Sequence, residues 1–245
     1  MTVLKHDSKD IIRKHNILLV LLVLLLAVSI FGLTYASGNT APVSNIAYKP
    51  IKIMLDPGHG GEDPGAVSDY SGVREKDLNL DVAFKLKTLL EEFGYEVVMT
   101  RETDTLHYPD DTPGYTAKRR EDLNNRKRMM DETDANIIVS IHMNKFGQTK
   151  YFGAQTFYPV KSNDSKKLAD SIQNQIKQLV DPNNEREPQG TKQELIILKN
   201  NAKTICIVEC GFLSNQEEEK LLQDSDYRQK IAQAIKAGID DYFKE

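Results

Sequence analysis

The chain has 245 residues, of which 40% are hydrophobic and 28% are charged, a balance that excludes an intrinsically disordered protein. The first 36 residues hold four of the 32 Lys and Arg and two of the 36 Asp and Glu, so the remainder carries a formal charge of −6. This acidic remainder lacks the basic surface that nucleic-acid binding requires, and we predict no nucleic-acid partner.

The N-terminal segment predicts the compartment of the protein. Residues 17–33 are uncharged and almost wholly apolar, and three basic side chains, Lys9, Arg13 and Lys14, precede them. This pattern is typical of an export signal or an uncleaved membrane anchor within residues 1–36, and small residues at Thr34 and Ala36 permit cleavage after Ala36. We expect an exported protein that contacts the membrane only through residues 17–36, followed by a polar linker over residues 37–50.

The remaining chain, residues 51–245, alternates between two hydrophobic patterns. Apolar runs predict strands over residues 51–55, 96–100, 137–141, 153–160, 195–198 and 204–208. Helical periodicity predicts helices over residues 76–93, 118–133, 164–180 and 227–243, with Asn163 or Asp164 capping the third. The polar stretches 102–116 and 181–193 are predicted as long loops. This order of elements predicts a single α/β domain whose sheet is flanked by helices.

The only two cysteines, Cys206 and Cys210, lie four residues apart in or just after a predicted strand. In an extended chain their Cα atoms would be roughly 13 Å apart, beyond the ~7 Å that a disulfide allows. We therefore predict no intramolecular disulfide and favour two small buried apolar side chains over a redox or metal role.

Three predicted strands run into residues that a hydrophobic core does not favour. The strand over 51–55 leads to His59, the strand over 137–141 to His142, and the strand over 204–208 to Glu209. Open α/β sheets place their sites at the carboxyl ends of strands, so these three side chains are expected to converge.

The two histidines indicate a metal site. A lone His after a strand is more often a hydrogen-bonded structural residue, but two at equivalent positions favour zinc, for which neutral imidazole is a common ligand. Glu75 is a candidate third ligand, although a carboxylate that begins a helix is an equally simple interpretation. Asn79, one turn later, could orient Glu75. The glycine-rich loop around His59 matches no phosphate-binding fingerprint.

Glu209 differs from the candidate ligands because it follows an apolar strand directly. Burial there should raise the pKa of the carboxyl, which suits a general base that later acts as an acid. A buried salt bridge to an Arg or Lys explains the same position equally well, so both interpretations stay open. His107 lies in a polar loop and is predicted to be a surface residue.

The motifs of this chain resemble those of a known family, the N-acetylmuramoyl-L-alanine amidases of the Amidase 3 type. The resemblance covers about residues 51–243 and includes the motif order and spacing. Its motifs are Asp-Pro-Gly-His-Gly-Gly at 56–61, Glu75 with Asn79-Leu80, Thr100-Arg101, Ser-Ile-His-Met-Asn at 140–144 and Glu-Cys-Gly-Phe-Leu-Ser-Asn at 209–215.

The resemblance implies a twisted mixed sheet of about six strands and a specific assignment of the site residues. It implies that His59, Glu75 and His142 bind Zn²⁺, that Glu209 is catalytic, and that residues 51–245 form a zinc amidase domain. Such enzymes cut the amide bond between N-acetylmuramic acid and L-alanine in peptidoglycan. The family usually has a small residue where this chain has Met143, which we expect at the edge of the pocket.

Within the family, the single domain behind an export segment, the loop near residues 102–118 and the run at 120–126 resemble germination-specific amidases of endospore formers. That subgroup acts in the spore cortex, between the forespore membranes, as a step toward muramic-δ-lactam, which a deacetylase completes. The alternatives are another zinc peptidase of the cell wall, such as a carboxypeptidase, and a non-catalytic wall-binding protein. The acidic surface and the long loops leave room for an accessory or activating protein.

Overall fold

The computed structural model describes residues 4–38, 50–191, 196–198 and 202–244. The chain divides into two compact units, residues 1–49 and 50–245. In the first unit the described residues form one helix, α1 (Leu4–Gly38). Most of the predicted linker, residues 39–49, and Leu195 of a predicted strand lie outside the described residues.

Helix α1 carries an apolar stretch, Ile12–Gly32, of 21 residues, which is long enough to cross a membrane. The residues of this stretch are all exposed. The sequence prediction of a continuous apolar segment is therefore matched by one unbroken helix, and no described residue of its unit covers this apolar stretch.

The second unit is built on a six-stranded mixed sheet, as predicted, with the order β2-β1-β3-β6-β4-β5. The strands are β1 (Lys52–Pro57), β2 (Glu96–Met99), β3 (Ile137–Asn144), β4 (Gln155–Pro159), β5 (Gln189–Thr191) and β6 (Thr204–Phe212). Neighbouring strands are parallel except for the antiparallel pair of β4 and β6. The carboxyl ends of β1, β3 and β6 therefore meet at one edge of the sheet.

Five helices belong to this unit, and both faces of the sheet are covered. They are α2 (Glu75–Glu92), α3 (Gly114–Glu132), α4 (Asn163–Leu179), α5 (Gln216–Gln223) and α6 (Ser225–Lys244). The larger core joins one face to α2, α4 and α6, and a smaller core packs the other face against Met130 of α3 and against Ile197 and Leu198. Burial on both faces explains why four of residues 137–141 are Ile or Val without alternation; the exception, Ser140, is buried and donates to Asp56 Oδ2 at 2.7 Å.

The structure corrects several sequence predictions. The loop predicted over 181–193 contains β5, whose three residues have no apolar signature because they only extend the edge of the sheet along β4. Residues 196–198, predicted as part of a strand, form a turn, and Ile197 and Leu198 are apolar because they cover the smaller core. The predicted helix over 118–133 begins earlier, at Gly114.

Two further corrections concern helix starts. Neither Asn163 nor Asp164 caps α4; the Ser162 hydroxyl does, accepting from the backbone N–H of Ser165 at 3.2 Å. Helix α5 was not predicted because it is short and four of its eight residues are charged. The Asn215 side chain caps its start by accepting from the backbone N–H groups of Glu217 and Glu218.

The cysteine prediction is confirmed. Cys206 and Cys210 are free thiols, buried in the larger core on β6. Burial raises the pKa of both thiols, so they behave as small apolar side chains rather than as nucleophiles.

Candidate active site

The candidate site residues lie at the sheet edge formed by the carboxyl ends of β1, β3 and β6. His59 follows β1 directly after a sharp turn, in which His59 itself has a φ of 63°. His142 and Glu209 were predicted to follow their strands, but both lie inside them, because the ladder between β3 and β6 continues through the pair His142 and Glu209. The ladder becomes irregular only after this pair, between His142 and Asn144.

Three predicted ligands come together at this edge. His59, Glu75 and His142 each offer one ligand atom, and these atoms lie within 4.8 Å of one another. Glu75 Oε1 lies 3.2 Å from His59 Nε2 and 2.8 Å from His142 Nδ1. Two imidazoles and one carboxylate, leaving positions open for water and substrate, are a donor set that catalytic zinc uses. The donor set and its convergence therefore fit a zinc ion.

Two of the three candidate ligand side chains, His59 and Glu75, are oriented by further contacts. His59 Nδ1 pairs with Asp63 Oδ2 at 2.8 Å, which leaves Nε2 directed at the cluster. Glu75 is the first residue of α2, so it is also the helix-start carboxylate of the simpler interpretation, and its Oε2 accepts from the Ala66 N–H at 2.7 Å. Asn79 donates to Glu75 Oε1 at 3.3 Å, in agreement with its expected orienting role.

The cluster is electrostatically coupled. Burial alone would lower the pKa of His59, but its contacts with Asp63 and Glu75 outweigh burial and raise it to about 9. Burial alone would raise the pKa of Glu75, but the two histidines outweigh it and hold that pKa well below its usual range. In the metal-free protein, a proton on His59 therefore occupies the position that a cation would take.

The pKa of His59 gives a testable pH dependence of metal affinity. Zinc binds neutral imidazole, so below the His59 pKa of about 9 a proton must leave and affinity should rise about tenfold per pH unit. A chelator competition titration from pH 6 to 10 should show this rise and a plateau above pH 9. In Asp63→Asn, which removes one of the two carboxylates that raise this pKa, the plateau should begin at lower pH. Equal affinities at pH 6 and pH 8 would contradict this account.

Glu209 faces the same cavity but lacks the contacts of the ligand cluster. Its Oε2 is buried without a hydrogen-bond partner, and no ion pair among the described residues involves it, so the salt-bridge interpretation is not supported. Burial raises the pKa of Glu209 to about 7, with the charge of Glu75 adding to the shift and the two histidines opposing it. A carboxyl with such a pKa can both accept and release a proton near neutrality.

The cavity has a volume of about 230 Å³. His59, His142 and Glu209 line it together with Arg119, and apolar side chains including Leu123 and Ile207 form part of its wall. Met143 does not line the cavity, contrary to expectation. Its side chain packs in the larger core, because successive residues of a strand point to opposite faces of the sheet. His107 is exposed, as predicted.

Glycine is required where the loop after β1 passes the ligands. A Cβ at Gly58 would lie 2.1 Å from His142 Cε1, and one at Gly65 would lie 2.4 Å from Glu75 Oε2. The sequence expectation that glycines leave room around the site is thus explained by two specific contacts.

Sequence reasoning missed the buried charges that hold this loop. Arg126, 2% exposed as a side chain, donates to the backbone carbonyls of Pro57 and His59, both at 2.7 Å, and pairs with Asp56 and Asp122. Arg101 donates to the carbonyls of Pro57 and Gly58 at 2.9 and 3.0 Å. The sequence signals for these residues were the position of Asp56 at the end of an apolar strand, the Thr100-Arg101 motif and the run at 120–126, and none of them showed what the side chains contact.

Replacing Arg126 should destabilise the fold and weaken metal binding together. Arg126→Ala leaves Asp56 and Asp122 buried without their partner, which should cost about 3–5 kcal/mol in chemical denaturation. Arg126→Lys keeps the charge but not the planar fork, so it should recover only part of that loss. Arg128→Ala, in the same helix but exposed, should change stability by less than about 0.5 kcal/mol. Equal stabilities of the Arg126 and Arg128 variants would contradict the role of the loop support.

Comparison with known proteins agrees with this geometry. The family model described as Amidase_3, N-acetylmuramoyl-L-alanine amidase, matches residues 53–241. The germination-specific N-acetylmuramoyl-L-alanine amidase of Bacillus subtilis (strain 168) is 39% identical over 195 residues, which are 79% of this chain and 80% of that protein. N-acetylmuramoyl-L-alanine amidase LytC of the same organism is 29% identical, but the match covers only 40% of its length.

Solved structures show the same fold. The CwlD amidase from Clostridioides difficile, solved in complex with the GerS lipoprotein, has 45% sequence identity and a TM-score of 0.77 over 79% of this chain and 98% of that one. An N-acetylmuramoyl-L-alanine amidase from Clostridium difficile 630 has 29% identity and a TM-score of 0.70 over 80% and 98% of the two chains. The chain therefore belongs to the Amidase_3 family of N-acetylmuramoyl-L-alanine amidases.

Proposed function

We propose that this protein hydrolyses the amide bond between N-acetylmuramic acid and L-alanine in peptidoglycan, with zinc held by His59, Glu75 and His142 and with Glu209 as general base and acid. One observation carries the proposal: Glu209, whose buried Oε2 has no hydrogen-bond partner, lines one cavity with His59 and His142, whose ligand atoms converge with that of Glu75. The family membership supplies the substrate class.

Zinc at these ligands would supply Lewis acidity, which polarises a carbonyl group and makes water easier to deprotonate. The chain's own residues supply the proton transfers. Glu209, as carboxylate, accepts a proton from the water that attacks the lactyl carbonyl carbon. It then gives that proton to the alanine nitrogen as the C–N bond breaks. The products are a lactyl carboxylic acid on the sugar and a peptide with a free L-alanine amine.

The pKa of about 7 for Glu209 suits both halves of this cycle, since neither protonation state is costly near neutral pH. The apolar wall of the cavity, which includes Leu123 and Ile207, keeps the carboxyl away from bulk water and so sustains the raised pKa. Arg119 also lines this cavity; its Nε donates to Asp63 Oδ2 at 3.1 Å, and we expect the remaining N–H groups of its half-exposed side chain to meet carboxylates of the stem peptide.

Product analysis of a defined muramyl pentapeptide tests this proposal. Mass spectrometry after incubation with the full-length, zinc-loaded protein should find an intact pentapeptide with a free L-alanine amine. Loss of a single C-terminal amino acid would instead identify a carboxypeptidase, and tight zinc-independent binding of peptidoglycan without any product would identify a wall-binding protein.

We further propose that residues 1–36 export or anchor the protein, that residues 37–50 link them to a catalytic domain over residues 51–245, and that only the N-terminal segment contacts the membrane. The support is the exposed apolar helix α1 with basic residues before its apolar stretch. Intact mass measurement of protein from the membrane and soluble fractions tests this. A species that begins at Ser37 would indicate cleavage after Ala36, and a full-length membrane species would indicate an anchor.

We also propose that this chain acts in the spore cortex, as a step toward muramic-δ-lactam; the support is that the relative from Bacillus subtilis is a germination-specific amidase. The complex of CwlD with the GerS lipoprotein supports an accessory protein for this chain as well. Deletion of the gene in its host should give spores whose cortex lacks muramic-δ-lactam. Normal lactam content would assign the enzyme to general wall turnover.

A further inference from the structure

A second cleft lies beside the catalytic cavity at the same edge of the sheet. We call it the aromatic cleft; its volume is about 330 Å³, and the residues that matter here are Asn144, Phe146, Tyr151, Gln155, Gln189 and Phe212. His142 is paired with Glu209 across β3 and β6, and Glu209 is paired with Gln155 across β6 and β4. Paired residues present side chains on the same face about 5 Å apart, so the aromatic cleft begins one strand beyond Glu209.

Two aromatic rings, Phe146 and Tyr151, offer apolar surface in the aromatic cleft, and a third ring, the buried Phe212, packs beside Tyr151. The centroids of Phe146 and Tyr151 are 5.1 Å apart, and those of Tyr151 and Phe212 are 6.4 Å apart. Phe146 is 57% exposed, so its ring offers apolar surface at the side of the cleft. This surface is available to a ligand that has an apolar face.

The polar groups of the aromatic cleft are neutral amides. Within the described part of the chain, the side chains of Asn144 and Gln189 make no hydrogen bond, so their donors and acceptors are free. Arg186 also lines the cleft, but its guanidinium donates to the Phe152 carbonyl and to Gln155 Oε1 and stacks over Phe212, 4.5 Å from the ring centroid. The guanidinium of Arg186 is therefore already engaged in contacts that hold the wall of the aromatic cleft.

We propose that the aromatic cleft binds an N-acetylhexosamine ring of the glycan strand, next to the muramic acid whose peptide is removed in the catalytic cavity. The inference rests on the proposed function. A pyranose ring has an apolar C–H face for the aromatic surface and a rim of hydroxyl and acetamido groups for neutral amides. The stem peptide carries carboxylates, which fit the cation Arg119 in the catalytic cavity better than they fit these amides.

Substrates of different glycan length test this assignment. Wild-type protein is compared with Phe146→Ala and Asn144→Ala on a muramyl pentapeptide with one sugar and on a tetrasaccharide carrying the same stem. For each variant we expect kcat/KM on the tetrasaccharide to fall roughly 5- to 30-fold more than on the single sugar, mostly through KM. Phe93→Ala, an exposed Phe at the end of α2, is the matched control and should leave both values unchanged.

Equal losses on the two substrates, or losses that follow the length of the stem peptide, would overturn the proposal and assign the aromatic cleft to folding or to the peptide. Binding of a peptide-free tetrasaccharide to the full-length protein, measured by calorimetry, separates this inference from the proposed function. If the wild type cleaves no substrate, yet binds this glycan more tightly than Phe146→Ala does, the proposed function is wrong and the assignment of the aromatic cleft as a sugar site is supported. If the two proteins bind the glycan equally, the assignment of the aromatic cleft is wrong.

Discussion

Glu209→Gln is expected to lower kcat by about 10²- to 10⁴-fold while zinc stays bound, because the amide keeps the shape of the side chain but cannot carry the proton. Steady-state kinetics on a muramyl pentapeptide, with zinc content measured on the same sample, tests this result. Glu218→Gln is the matched control. Glu218 is also buried with its pKa raised to about 7, chiefly by burial, yet it accepts from the backbone N–H groups of Gly153 and Phe212 outside the cavity.

The control should keep kcat per folded molecule within about tenfold, whatever it does to stability. If Glu209→Gln retains near wild-type kcat, the proton-transfer role is wrong. If the variant loses its zinc, then Glu209 belongs to the metal site rather than to proton transfer.

The pH dependence of stability gives an independent check on Glu209. Its pKa is raised from 4.5 to about 7 in the folded metal-free protein, so the folded state holds the proton more tightly than the unfolded state does. This contribution to stability is fully present below pH 4.5 and is lost as pH rises through 7. In metal-free Glu209→Gln that part of the decline should be absent, and denaturation curves between pH 4.5 and 8 measure it.

Loss of a metal ligand is the second substitution with a large expected effect. His142→Ala should weaken zinc binding roughly a thousandfold, or about 4 kcal/mol, and should abolish turnover at equimolar zinc. His142 is a better choice than His59, since His59 has a positive φ at which Ala would also be strained. His107→Ala, at an exposed position, is the control and should keep both zinc and activity.

A His142→Ala protein with one tightly bound zinc would show that the ligand set is wrong. A protein that binds zinc weakly but recovers full activity at high zinc concentration would retain the set and revise only the size of the effect.

Hydrophobic patterning predicted most of the fold because the central strands are buried on both faces. Residues 137–141 are all buried and are Ile or Val except for Ser140, so this run is readily recognised as a buried strand. The secondary-structure predictions were wrong where burial leaves no hydrophobic periodicity in the sequence. The edge strand β5 has three residues and little burial, and the turn over 196–198 is apolar only because it covers a core. Neither the edge strand nor the turn can be recognised from the local hydrophobic periodicity of the sequence.

Part of the candidate site could be predicted from the sequence for a similar reason. Polar residues that end or follow buried strands are conspicuous, so His59, His142 and Glu209 could be selected from sequence alone. Glu75 required the resemblance, because a helix-start carboxylate is common. Asp63, Arg101 and Arg126 were missed as supports of the loop, since each acts through contacts between elements far apart in sequence. Only three-dimensional contacts reveal such residues.

Metal reconstitution with product identification is the most direct test of the central claim. The full-length protein is stripped with a chelator and titrated with zinc, and muramyl pentapeptide products are identified by mass spectrometry at each step. The account predicts no product in the stripped protein, and release of the intact peptide with a free L-alanine amine that grows linearly and saturates at one zinc per chain. Undiminished release of the peptide from the stripped protein, or saturation at a different zinc content, would contradict a catalytic site built from His59, Glu75 and His142.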